Sequence, residues 1–228
     1  MFEIAKHLTH VQQRIAIAAK QAGRDPSDIS LLAVSKTRPI DDIKEAIAAG
    51  QASFGENQVQ DALEKIKTLN NADLTWHFIG VVQSNKTKDI ANHFDWVHSI
   101  DREKIAARLH EQRASHLPPL NICLQLNVDD EKTKAGVSVE MLPQLAEQIQ
   151  QYSRLTLRGL MAIPKPNKDT AAQRESFAKV REAFAQLKQQ GFALDTLSMG
   201  MSNDLETAIA EGSTIVRVGT DIFGLRDT

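Results

Sequence analysis

The sequence has 228 residues, 42% hydrophobic and 25% charged, a balance typical of a globular protein that can bury a core without disulfides or metal. Its formal net charge of -2 gives no field that favours nucleic acid or anionic membranes, and its single cysteine, Cys123, excludes an intrachain disulfide framework. Charged first residues argue against a signal peptide, no stretch approaches the roughly 18 apolar residues of a membrane span, and the histidines lack metal-binding spacing, so we expect a cytoplasmic protein without a metal site.

Short runs of branched apolar residues alternate along the chain with longer segments of helical periodicity. The first helix is predicted over residues 3–22, where apolar residues form one stripe at three- and four-residue spacing, and Gly23 ends it. Eight strands are predicted at residues 29–34, 53–54, 76–80, 96–99, 120–128, 155–161, 194–198 and 214–218. Helices are predicted between them at residues 39–49, 59–69, 86–92, after a cap at Asp101, and at 141–150, 172–190 and 204–211.

Eight strand–helix units with no segment left over predict an α/β fold, a single (β/α)8 barrel with an extra N-terminal helix. An open, doubly wound sheet is the competing fold, but no Gly-x-Gly-x-x-Gly turn follows the first strand. No linker rich in proline, glycine or serine divides the chain. We therefore expect residues 1–228 to form one barrel domain.

The reactive groups of such barrels gather at the carboxyl ends of the strands. Lys36 follows the first strand directly, so its amine is expected at the mouth of the barrel, where desolvation lowers the pKa of a lysine and frees it to attack carbonyls. Taken alone, Lys36 is better explained as a lysine whose amine simply extends into solvent. The residues at the other strand ends decide between a reactive lysine and a solvated one.

Two glycine-bearing turns follow the seventh and eighth strands, at Ser198-Met199-Gly200-Met201-Ser202-Asn203 and at Arg217-Val218-Gly219-Thr220. The loops after strands seven and eight are the usual phosphate site of these barrels, and Ser202 or Asn203 is suited to cap the following helix. A lysine amine, an anion site and a cation from strand eight together fit a phosphorylated aldehyde. These residues do not separate a bound cofactor from a sugar-phosphate substrate.

Several segments resemble the YggS/PROSC family of pyridoxal phosphate homeostasis proteins, whose fold is that of the alanine racemase barrel domain. The resemblance runs from the first helix to Phe223-Gly224. It is carried by Ala33-Val34-Ser35-Lys36-Thr37, Phe54-Gly55-Glu56-Asn57, Trp76-His77-Phe78-Ile79-Gly80, Gln83-Ser84-Asn85-Lys86, Arg158-Gly159-Leu160-Met161, Ser198-Met199-Gly200-Met201-Ser202 and Arg217-Val218-Gly219-Thr220.

The resemblance implies a site for pyridoxal 5'-phosphate (PLP), held as a Schiff base on Lys36. Asn57 would lie beside the cofactor, and Arg217 would face the pyridine nitrogen, which a permanently charged donor keeps unprotonated. Lys134 is a conceivable second aldehyde acceptor, although a solvated loop lysine is the plainer interpretation. The phosphate would be held by Ser198, Ser202, Gly219 and Thr220.

Three function classes remain open: a PLP carrier, a PLP-dependent racemase or lyase, and a lysine-dependent aldolase. Racemisation needs acid–base groups on both faces of the substrate, and the only tyrosine, Tyr152, precedes strand six at the wrong end of the barrel. We therefore expect a carrier in PLP (vitamin B6) homeostasis without robust catalytic activity. We also expect a monomer, because the resemblance implies that the alanine racemase dimer depends on a second domain. Its partners would be PLP and, in delivery, PLP-dependent apoenzymes or enzymes of the vitamin B6 pathway. His77, in mid-strand, is expected to be packed rather than catalytic.

Overall fold

The computed structural model describes residues 3–129 and 135–225 and contains a closed barrel of eight parallel strands in sequence order, β1 to β8. This confirms the predicted barrel and excludes the open sheet. The strands are β1 (Ser30–Val34), β2 (Ser53–Glu56), β3 (Thr75–Phe78), β4 (Trp96–Ile100), β5 (Leu120–Leu126), β6 (Leu155–Ala162), β7 (Thr196–Ser198) and β8 (Ile215–Val218).

Helices surround the barrel, because each crossover between parallel strands packs an amphipathic helix on the outer face. They are α1 (Glu3–Gln21), α2 (Ile40–Ala48), α3 (Val59–Leu69), α4 (Thr87–His93), α5 (Glu103–Gln112), α6 (Leu142–Gln150), α7 (Thr170–Gln189), α8 (Leu205–Ala210) and α9 (Thr220–Phe223). Two short 3-10 helices lie at Pro26–Asp28 and Val139–Met141. Within the described ranges, no helix is both long enough and apolar enough to cross a membrane.

The barrel closes between its first and last strands, with Ser30 paired to Ile215 and Ala33 to Val218. The main core lies between the strands and the helices, where Phe54 is fully buried with its ring 5.6 Å from that of Trp76. This register brings the end of β1, two residues before Lys36, beside the end of β8.

Helix α1 lies outside the repeating pattern and packs against α8, α9 and α2. Its predicted apolar stripe is buried, from Ile4 to Ala18, and so fixes α1 against the last crossover helix, α8, and against α9, which follows β8. The polar side of α1 is thereby placed next to the loops that follow β7 and β8.

Two predicted helix caps are wrong. Arg102, not Asp101, occupies the N-cap position of α5, and its side chain makes no capping bond there, because the Asp101 carboxylate binds the Arg102 guanidinium instead. At α8 the N-cap position belongs to Asp204 rather than to Ser202 or Asn203. The Asp204 carboxylate accepts a 2.6 Å bond from the Met201 N–H, which tightens the turn before the helix.

Candidate functional site

A cavity of about 460 Å³ opens at the carboxyl ends of the strands. Residues that follow β1, β2, β3, β6, β7 and β8 contribute to its wall. Six of the seven residues predicted for the site line it: Lys36, Asn57, Ser202, Arg217, Gly219 and Thr220. Ser198 does not, because it lies deeper in the barrel and is fully buried.

Buried hydrogen bonds hold the turn that carries Lys36 in place. Ser35 is fully buried, and its hydroxyl donates a 2.6 Å hydrogen bond to Oε1 of Glu56. Lys65 of α3 donates to the Ser35 carbonyl at 2.9 Å and to the same Glu56 oxygen at 2.8 Å. Thr37, on the other side of Lys36, adopts a left-handed backbone conformation with φ of 64°. The backbone around Lys36 is therefore held by buried polar contacts and not by loop packing alone.

Asn57 follows β2 and contributes to the cavity wall. Its Oδ1 is buried without a hydrogen-bond partner among the described residues. A buried acceptor without a partner is costly, so an unpaired atom at a cavity wall points to a ligand donor. The asparagine is suited to contact a polar group of a bound molecule.

Arg217 is the buried cation of the site, only 4% exposed on β8. Its guanidinium donates to the Ser198 carbonyl at 2.5 Å, to the Ser198 hydroxyl at 2.8 Å and to the Ala162 carbonyl at 2.9 Å. Burial lowers the pKa of Arg217 to about 10, so the side chain remains charged at neutral pH. Within residues 3–129 and 135–225 no carboxylate lies within 4.0 Å of it, which favours an electron-rich ligand atom in the cavity.

Ser198 connects Arg217 to two histidines inside the barrel. Its hydroxyl lies 2.8 Å from Nδ1 of His98, and Nε2 of His98 lies 2.9 Å from Nδ1 of His77. Burial lowers the pKa of His77 to about 3, and burial followed by the neighbouring His77 and Arg217 lowers that of His98 well below its ordinary value. Both imidazoles are neutral at neutral pH. His77 is therefore a packed, hydrogen-bonded histidine, as expected from the sequence.

The turns after β7 and β8 form a polar cup at one side of the cavity. Gly219 lies against β1 so closely that a Cβ there would come within 3.1 Å of the Val34 carbonyl. Gly200 has φ of 95°, and a Cβ there would meet that of Ala208 at 2.6 Å. Larger residues would widen these turns. Gly219 therefore keeps the Thr220 segment near the end of β1, and Gly200 keeps the Ser202 turn close to α8.

Two residues discussed from the sequence lie elsewhere. Cys123 is fully buried on β5, and burial raises the pKa of its thiol to about 12, so it is not a nucleophile. Tyr152 precedes β6, where its hydroxyl donates to Glu103 and its ring stacks on His110 at 5.1 Å. Lys134 is outside the described residues.

The sequence prediction missed several residues that line the cavity. Arg38 and Met201 are neighbours of predicted site residues in their own motifs, so their position at strand ends could have identified them. Gln125 lies inside β5, and only the alternation of inward and outward residues along that strand points to it. Arg14 and Lys65 do not line the cavity, but they donate to the Ser202 and Ser35 carbonyls from helices outside the barrel, and no local sequence pattern indicates these contacts.

The arrangement can bind a molecule with three different groups. Lys36 offers an amine for an aldehyde, Arg217 offers donors to an electron-rich atom, and Ser202, Gly219 and Thr220 surround a space suited to an oxyanion. The unpaired Oδ1 of Asn57 can accept from a hydroxyl. An aromatic aldehyde that bears a ring nitrogen, a hydroxyl and a phosphate has all of these groups.

Comparison with known proteins identifies the family. Residues 7–227 match the model of the alanine racemase N-terminal domain. The chain is 56% identical over 227 residues to the pyridoxal phosphate homeostasis protein of Pseudomonas aeruginosa, covering 100% of this chain and 97% of that relative.

Solved structures agree with this comparison. PipY of Synechococcus elongatus PCC7942, determined with PLP bound, superimposes with a TM-score of 0.84 at 39% identity, covering 97% of this chain and 100% of PipY. Alanine racemase of Clostridium difficile 630 shares the fold, with a TM-score of 0.78 at 12% identity, covering 98% of this chain and 58% of the racemase. The chain therefore belongs to the YggS/PROSC family of pyridoxal phosphate homeostasis proteins, which carry the alanine racemase N-terminal domain fold.

Proposed function

We propose that this protein binds pyridoxal 5'-phosphate and acts in its homeostasis, holding the cofactor covalently on Lys36. The observation that carries the proposal is that one cavity gathers Lys36, Arg217 and the cup of Ser202, Gly219 and Thr220 from three strand ends. The PLP-bound structure of PipY, a relative 39% identical to this chain, supports the ligand.

Each residue has a distinct part in binding. Lys36 would hold the aldehyde carbon, and Arg217 would donate to the ring nitrogen and so keep it unprotonated. Asn57, whose Oδ1 is unpaired, would accept from the ring hydroxyl. Ser202, Gly219 and Thr220 would bind the phosphate. Ser198 was predicted as a phosphate ligand, but its buried hydroxyl already contacts Arg217 and His98, so we assign it to holding Arg217 in place.

The cavity favours a carrier over a racemase or lyase. When bound, the cofactor supplies a carbonyl and an electron-withdrawing ring, and the protein would have to move protons on both faces of a substrate. Of the described residues that line the cavity, Lys36 is the single one suited to act as a general acid or base, because the other ionisable side chains there, Arg38 and Arg217, are arginines. Tyr152 is remote from the cavity, bonded to Glu103. Covalent storage with release to other proteins requires no second acid–base group.

The proposal includes two finer points. The protein would act as a monomer in the cytoplasm, and it would deliver PLP to PLP-dependent apoenzymes or exchange it with enzymes of the vitamin B6 pathway. Light scattering tests the first point, since a stable dimer would contradict it. Transfer to an apoenzyme, followed by the recovery of that enzyme's activity, tests the second.

The central experiment compares the near-visible absorbance of the wild-type protein, Lys36→Ala and Lys44→Ala after incubation with PLP. Lys44 is a matched control because it is an exposed lysine of α2 that pairs with Asp41. We expect the wild type and Lys44→Ala to show a band that borohydride bleaches, with the reduced group located on Lys36 by peptide mass spectrometry. A wild-type protein without the band would reject PLP and favour the aldolase alternative, in which Lys36 attacks a free phosphorylated aldehyde or ketone.

A further inference from the structure

One guanidinium on α1 reaches both loops of the polar cup. Nε of Arg14 donates to Oε1 of Glu206 at 2.7 Å, and Nη2 donates to Oε2 of Glu206 at 3.0 Å. Nη2 also donates to the Ser202 carbonyl at 2.9 Å, and Nη1 binds the Asp221 carboxylate. A single side chain thereby joins the turn after β7, the first turn of α8 and the first turn of α9.

These contacts place Arg14 directly behind cup residues. Ser202 lines the cavity and presents its carbonyl to Arg14. Thr220 also lines the cavity, and Asp221 is the next residue in the chain. The side chain of Arg14 is 23% exposed and that of Asp221 is 29% exposed, so the pair is partly withdrawn from solvent, where ion pairs are less screened.

The carboxylates of Glu206 and Asp221 lie on segments of the polar cup and would repel a bound anion. Glu206 and Asp221 put two negative charges on the segments that would surround a phosphate dianion, and like charges at short range oppose binding. Arg14 meets both with a planar fork of donors, which a lysine ammonium cannot reproduce. It therefore reduces the negative charge beside the cup and fixes the distance between its two halves.

We infer that Arg14 is a positioning residue for the polar cup. Through Arg14, helix α1 makes the site bind phosphorylated forms of its ligand more tightly than unphosphorylated forms. The inference rests on the proposed function for the identity of the ligand as PLP. Arg14 itself does not line the cavity, so its effect passes through Ser202 and Asp221.

Arg24 provides a matched control. It follows α1, and it also donates to carbonyls of the α8 region, at 2.9 Å to Ile209 and at 2.7 Å to Ser213. These carbonyls lie at the end of α8 and beyond it, away from the cup. Arg24→Gln thus removes comparable hydrogen bonds between the end of α1 and the α8 region, and it leaves the contacts of Ser202 and Asp221 intact.

The experiment measures the dissociation constants of PLP and of pyridoxal, which lacks the phosphate, for the wild type, Arg14→Gln, Arg14→Lys and Arg24→Gln. We expect Arg14→Gln to weaken PLP binding tenfold or more while pyridoxal binding changes less than about twofold. Arg14→Lys should recover part of the loss, and Arg24→Gln should keep the wild-type ratio of the two constants. Equal weakening of both ligands by Arg14→Gln, or an unchanged ratio, would overturn the inference.

A second measurement separates this inference from the identity of the ligand. The melting temperatures of the wild type and Arg14→Gln are compared with and without inorganic phosphate, which needs neither Lys36 nor an aldehyde. Phosphate should stabilise the wild type and Arg24→Gln but not Arg14→Gln. That result supports phosphate binding in the polar cup that depends on Arg14, even if PLP fails to bind. Equal stabilisation of all variants by phosphate rejects the role of Arg14.

Charge removal tests the electrostatic part. Adding Glu206→Gln and Asp221→Asn to Arg14→Gln removes the two negative charges that have lost their pairing with Arg14. The contacts between α1 and the polar cup stay broken. We expect the triple variant to recover phosphate stabilisation relative to Arg14→Gln. If the triple variant is as weak as Arg14→Gln, the repulsion argument is wrong.

Discussion

Nζ of Lys65 lies 2.8 Å from Oε1 of Glu56, and this buried ion pair supports the turn that carries Lys36. The side chain of Glu56 is fully buried and that of Lys65 is 6% exposed. Burial raises the pKa of Glu56, while Lys65 and the Ser35 hydroxyl oppose that rise. The other oxygen of Glu56, Oε2, has no partner among the described residues, so the carboxylate depends on the contacts of Oε1.

Replacing Lys65 with methionine should destabilise the protein strongly. The change leaves the Glu56 carboxylate buried without its cation, a defect that costs about 3 to 5 kcal/mol. We expect that loss in the free energy of unfolding measured with urea, together with a weaker covalent band at Lys36. Lys67→Met, on the exposed side of the same helix, should change stability by less than about 0.5 kcal/mol.

A double variant tests whether the uncompensated charge is the cause. In Lys65→Met/Glu56→Gln the buried group is neutral, so part of the lost stability should return relative to Lys65→Met alone. If the double variant is no more stable than the single one, the loss comes from packing of the lysine side chain and not from the charge of Glu56.

Arg217→Met tests the proposed contact between Arg217 and the ring nitrogen of PLP. The wild type should bind PLP at least about tenfold more tightly than an analogue in which a C–H replaces the ring nitrogen, because a charged donor loses its acceptor. Arg217→Met should bind PLP more weakly and should no longer distinguish the two compounds. Dissociation constants from absorbance titrations give the comparison.

Arg113→Met controls for the loss of a buried arginine. Arg113 is 3% exposed and donates to the carbonyls of Ala91 and Phe94, on elements away from the cavity lining. Its replacement should reduce stability while preserving the preference for PLP over the analogue. Preserved discrimination in Arg217→Met would place the ring nitrogen elsewhere.

The sequence predicts the barrel well because each element has a local pattern. Helix α3 has the predicted bounds, 59–69, since its apolar period is regular. Strand β2 was predicted at residues 53–54 but continues to Glu56. Gly55 and Glu56 interrupt the apolar run, yet a Cβ at Gly55 would already lie 3.3 Å from Leu32 and Ile79, so the crowded barrel interior accounts for the glycine.

The candidate site is predictable only where it depends on strand ends. Lys36 and Arg217 follow or end recognisable strands, so the barrel geometry indicates their place before any contact is known. Arg14 and Asp221 are 207 residues apart, and their contact depends on how α1 crosses the closed barrel. Ser198 was expected as a phosphate ligand from the family resemblance alone, and its hydroxyl lies within hydrogen-bond distance of Arg217 and His98, deeper in the barrel than the cavity wall.

The buried histidines predict how stability depends on pH. The pKa of His77 falls from 6.5 to about 3 on burial, so between these values the unfolded chain binds a proton that the folded protein does not. Stability therefore decreases as the pH falls through this window, and His77 alone accounts for about 2 kcal/mol of the loss between pH 7 and pH 5. Urea unfolding at pH 7 and pH 5 measures this loss of stability. The loss should be about 2 kcal/mol smaller in His77→Gln than in the wild type, and unchanged in His116→Gln, an exposed control. An unchanged loss in His77→Gln would mean that His77 is protonated in the folded protein at pH 5, which the 2.9 Å contact with His98 inside a closed barrel argues against.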